Sequence, residues 1–170
     1  MVTISVTGRV GPLRVDSSDR QAVIAFAGRP QAERRGRTDR GVRYDALGYA
    51  CGAGTGPYAI PLVHGGPRCK TAFFVDVRSG RLGLFLTIQS SYVESHGVRV
   101  GMPTATAERL LRRVVHVGCE ADIFLDSRKA TLTVAFTGGT VRHNGTLNGG
   151  HVTALVLHGL HHDPSLFECM

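Results

Sequence analysis

Tryptophan is absent and lysine nearly so: Lys70 and Lys129 are the two lysines among 20 basic residues. No apolar run approaches the roughly 20 residues a membrane-crossing helix needs, so no membrane span is expected. The stretch Met1 to Arg14 lacks the charged start and long apolar middle of a signal peptide, so export would imply a leader already removed. No Cys-x-x-Cys pair occurs, which disfavours a four-thiolate zinc site. His-Glu-x-x-His, Gly-x-Ser-x-Gly and a Gly-Lys-Ser/Thr phosphate loop are also missing. The chain therefore carries no catalytic signature and implies no cofactor.

What is present suits many short strands joined by turns: 22 glycines in 170 residues, with 42% apolar side chains to build a core. The net charge of +7 comes almost wholly from arginine. Arginine suits carboxylate and phosphate recognition, and compositional bias is the plainer source of the same excess.

The four cysteines, Cys51, Cys69, Cys119 and Cys169, allow three pairings. We expect Cys51–Cys69 and Cys119–Cys169. The first pair brackets the Gly/Pro-rich stretch GAGTGPYAIPLVHGGPR; the second ties the chain end to the second half. In the chain-entropy account such links contribute about 3 and about 4 kcal/mol. Persistent disulfides place the protein outside the cell or in its envelope; four buried thiols in a cytosolic protein are the alternative.

Residues 2–7 alternate as a strand does. Asp16 to Asp19 offer caps for a helix over RQAVIAFAG, which Gly28 and Pro30 end. Residues 31–41 read as an exposed basic loop. Strands are expected at 42–50, 71–77 and 82–88, with Ser79-Gly80 at a hairpin tip. A second helix is expected at 104–115, followed by strands at 120–126, 129–136 and 152–158. The order repeats: helix, then three antiparallel strands. The fold class expected is α+β, two helix-plus-three-strand repeats over 1–94 and 95–170 that share or pack one core.

The segment VRVGMPTATAERLL resembles the helix opening of the small outer-membrane assembly lipoproteins of the BamE/SmpA type. It is also similar to the opening of the tandem-repeat β-lactamase inhibitory proteins. GPLRVDSSDRQAVIAFAGRP, YDALGYAC and RCKTAFFVD resemble stretches of exported, uncharacterised actinobacterial proteins. The resemblance implies a helix-plus-meander fold that binds proteins across its sheet, and it implies no catalytic residue.

Candidate sites follow from residue chemistry. Tyr58, Ile60 and Leu62 in the stapled loop are either apolar anchors for a partner or a small core under that loop. Arg34, Arg35 and Arg37, with Arg40, form the densest basic run. It lacks the interleaved aromatics of a nucleic-acid surface, so no nucleic acid is expected. His158, His161 and His162 cluster near the end, with His143 and His151 upstream, and are weak metal candidates or a polar surface turn. The expected function is a non-catalytic, secreted protein-binding or inhibitor-like module. The alternatives are a metal-assisted enzyme using the histidine cluster and a structural protein whose basic loops hold an anionic envelope polymer.

Overall fold

The computed structural model describes residues 1–38, 40–118 and 120–160. A hairpin of β1 (Val2–Ser5) and β2 (Arg9–Val10) leads to β3 (Leu13–Arg14) and α1 (Arg20–Ala27). Then come β4 (Ala32–Arg37), β5 (Arg43–Cys51), β6 (Ile60–Pro61), β7 (Arg68–Asp76) and β8 (Leu82–Thr87). β9 (Tyr92–Glu94) precedes α2 (Thr104–Leu111). The chain continues through β10 (His116–Val117), β11 (Ala121–Asp126), β12 (Ala130–Thr137), β13 (Thr140–Val141), β14 (Leu147–Asn148) and β15 (His151–Gly159).

One large antiparallel sheet runs in the order β10-β11-β12-β15-β8-β7-β5-β4, with β6 beside β7. A small sheet, β3-β2-β1-β9, lies apart from it, with β1 and β9 parallel. The strands β8 and β15 join early and late parts of the chain, pairing Leu86 with Val156 and Leu84 with His158.

This corrects the expected α+β class. Among the described residues the protein is mostly β, 49% strand and 10% helix, built on large antiparallel sheets rather than helix-plus-three-strand repeats. Two local outcomes shift the balance. Residues 32–37, expected as loop, form the edge strand β4, because the backbone groups on the side facing β5 find partners there, in a register running from Ala32↔Gly48 to Arg37↔Arg43. The second helix stops at Leu111 instead of 115: Arg112 turns left-handed at φ 52°, and Glu108 Oε1 accepts the Val115 N–H at 2.9 Å. The first helix follows expectation, with the Asp19 carboxylate accepting from the Ala22 N–H and Gly28 ending it at φ 84°.

The main core lies between one face of the large sheet and the layer formed by the small sheet and both helices. Ile4, Val10, Val23, Phe73, Phe85, Leu132 and Leu155 are fully buried there. A second, smaller cluster sits on the opposite face, around Tyr44, Ala46, Phe74, Leu84 and Leu86. Coverage of both faces explains why β7 and β8 read as continuous apolar runs, while β12 strictly alternates.

Candidate functional site

The outer face of the large sheet is divided into a covered part and an open part. Over β5, β7 and β8 it is apolar, and loop 52–67 folds down to cover it. The Cys51–Cys69 disulfide closes this loop at a directly cross-strand pair. Gly48 lies beneath it, and a Cβ there would stand on the Cys69 sulfur and within 2.8 Å of Leu62. Ile60 and Leu62, 5% and 0% exposed, pack into the outer cluster. Tyr44 meets Phe74 edge-on at 5.2 Å, and its hydroxyl donates to Leu62 O at 3.4 Å. Arg68 fastens the loop from inside, its guanidinium donating to Ala59 O (2.9 Å) and Pro57 O (3.4 Å).

Over β11, β12 and β15 no such cover is present among the described residues. Period-two alternation sends Ile123, Leu132 and Val134 to the main core and leaves Phe124, Thr131, Thr133 and Ala135 on the outer side. Register places them in rows: Asp122, Ala135 and Ala154; Phe124, Thr133 and Val156; Asp126, Thr131 and His158. Phe124 is 54% exposed.

A groove of about 500 Å³ runs where the covered and open parts meet. Its wall is the loop from Pro57 to Pro61; its floor includes Leu86, Ile88, Ala135, Thr153 and Ala154, with Glu120 at one side. A β-bulge disturbs the β12–β15 ladder at this point, between Ala135 and Phe136. Bulges re-aim side chains, and here the bulge coincides with the groove floor. Among the described residues, Thr153 Oγ1 is buried without a hydrogen-bond partner. Tyr58, half exposed, stands at the lip, its hydroxyl 3.4 Å from Thr137 Oγ1 across the groove. Beside the groove, burial and the neighbouring charge of Glu120 push the Asp122 carboxyl up to about 6.

Of the three loop residues singled out from sequence, Tyr58 is the one available to a partner. Ile60 and Leu62 are core residues, because the apolar sheet face beneath them is a better partner than solvent. Arg34, Arg35 and Arg37 lie far from the groove, on edge strand β4, where Arg35 pairs with Asp45 at 2.9 Å. His158 is half-buried on β15, its Nδ1 2.8 Å from Gly159 O. His161, His162, Cys119 and Cys169 lie outside the described residues, as does the expected Cys119–Cys169 link. Among the described residues, no three His, Cys, Asp or Glu side chains converge as a metal site would require.

Sequence reading missed the groove floor. The signal lay in KATLTVAF, whose alternate positions are small or hydroxylated, the mark of a sheet face that carries no large apolar cover.

No protein-family model matches the chain, and neither does any curated protein. The fold is similar to that of YfeY. The crystal structure of this uncharacterised Escherichia coli protein superposes with a TM-score of 0.54 at 16% identity, over 92% of this chain and 99% of that one. YfeY thus shares the architecture.

Proposed function

We propose that this protein is a non-catalytic binding module of the cell exterior that engages a protein partner through the groove and the open sheet face beside it. The supporting observation is the abrupt change along one sheet surface among the described residues: one part sealed by a stapled loop, the adjoining part covered by no described segment, with a groove at the junction. The exposed rings of Tyr58 and Phe124 suit such contacts, since aromatic anchors beside a recess carry much of the energy of protein interfaces. A loop held by a disulfide, by Arg68 and by Ile60 pairing with Cys69 loses little entropy on binding. The disulfide supports an oxidising compartment. No helix among the described residues is long and apolar enough to cross a membrane.

The test is selection of displayed peptides on the wild-type protein, with Ala135→Arg as the counter-selected variant. This exchange keeps the strand and fills the floor of the groove with a long charged side chain. Peptides that bind wild type and lose about tenfold or more in affinity for the variant support the reading. Equal binding to both proteins, or no enrichment over a scrambled library, rejects it.

A further inference from the structure

Away from the groove, at the β4 edge of the large sheet, β4 and β5 carry charges in a two-residue rhythm. Arg35 stands opposite Asp45 and pairs with it at 2.9 Å. Two residues along, the same register sets Arg37 directly opposite Arg43, a like-charge pair that works against strand pairing. Glu33 on the same strand is engaged by Arg20 of α1 at 2.7 Å. The turn that follows the next strand, β7, brings a third cation, because the Val77 N–H donates to Arg43 O at 3.0 Å and carries Arg78 alongside.

Arg40, Arg43 and Arg78 line a recess of about 420 Å³ with Gly41, Val42 and Asp76. One Asp76 carboxylate oxygen accepts the backbone N–H groups of Arg78 (2.7 Å) and Ser79 (3.4 Å), so it serves the hairpin turn. Among the described residues, no hydrogen bond or ion pair holds the guanidinium groups of Arg37, Arg43 or Arg78. Arg40 and Asp76 each have a further partner, so among the described residues Arg43 and Arg78 are the guanidinium groups this concavity offers, and Arg37 stands on the adjoining strand.

We propose that this recess is an oxyanion site that takes a phosphate group, either free or carried on a polymer. Guanidinium forks match the oxygens of a phosphate group two at a time, and convergent forks bind it more tightly than scattered charge. A bound phosphate group also removes the repulsion between Arg37 and Arg43.

The experiment is calorimetric titration of the full chain, disulfide intact, with orthophosphate and separately with tripolyphosphate. Exchanging Arg43→Gln and Arg78→Gln together is expected to weaken tripolyphosphate binding about tenfold or more. Exchanging Arg112→Gln and Arg113→Gln, which removes equal charge just after α2, is expected to change it less than about twofold. In wild type the anion should shift the amide resonances of Gly41 and Ser79 selectively. Tighter binding of tripolyphosphate than of orthophosphate supports a polymer-borne group; equal affinity supports the free ion. Equal losses in the two double variants, or no binding of either probe, overturn the proposal.

Discussion

Asp122 ties the open sheet face to pH. Its carboxyl sits at about 6 in the folded protein, against 3.8 for an ordinary one, chiefly through burial and secondarily through Glu120. The folded state therefore holds a proton that the unfolded chain releases between these values. This contribution to stability is fully present below pH 3.8 and is lost as pH rises through about 6. Replacing Asp122→Asn should stabilise the protein at pH 7 by about 1 kcal/mol, after allowance for solvent screening, with no gain below about pH 4. Urea titrations at both pH values check this, and equal stability of the two proteins at pH 7 would refute it. Glu94 makes the opposite case of a buried carboxylate fully engaged. It accepts from Ser95 Oγ at 2.7 Å, from the His96 N–H at 2.7 Å and at His96 Nδ1 at 2.8 Å. Glu94→Ala leaves these groups without their acceptor in a site 1% exposed and should cost about 2–4 kcal/mol in chemical denaturation.

The stapled loop is the element on which the outer face depends. Reduction, or the double change Cys51→Ser and Cys69→Ser, frees a closed loop with a sequence separation of 18 and should remove about 3 kcal/mol. The signature would be a lower Tm together with binding of a hydrophobic dye, as Phe74, Leu84 and Leu86 lose their cover. A lower Tm with no rise in dye binding would mean that the loop stays down without its link. The absence of a side chain at Gly48 serves the same packing from below, since it leaves room for the disulfide and Leu62 to lie flat on β5. The edge strand β4 is guarded by the charges of Glu33, Arg34, Arg35 and Arg37, which discourage pairing with another chain's edge. Replacing Arg34 and Arg35 together by valine should cause concentration-dependent association, seen in sedimentation velocity, that the wild type does not show.

At the scale of the molecule, one sheet serves three roles. Its inner face carries the main core, its sealed outer part makes β7 and β8 a two-sided layer, and its open outer part borders the groove. The two proposed sites lie on different strands, the groove over β8, β12 and β15 and the arginine recess at the far end of β5 and β7. Ala135→Arg should therefore leave phosphate affinity unchanged. The double exchange at Arg43 and Arg78 should leave peptide binding unchanged. A cross-effect above about threefold in either titration would mean that the sites are coupled.

Much of the local structure was legible in the residues. Asp19 and Gly28 mark the ends of α1, alternation marks β11 and β12, and the Gly/Pro-rich stretch between Cys51 and Cys69 marks a loop in need of closure. These are short-range effects of capping, side-chain period and loop entropy, which a sequence carries by itself. The tertiary structure decided the rest. Whether 32–37 is loop or strand depended on β5 being present to pair with it. Whether Ile60 and Leu62 face solvent depended on an apolar sheet surface beneath them, and that surface is assembled from strands far apart in the chain. The groove likewise exists because β8 pairs with β15, bringing a loop near residue 58 against a strand near residue 135. Contacts between distant segments have no local signature, since their energy is realised only when both partners are already in place.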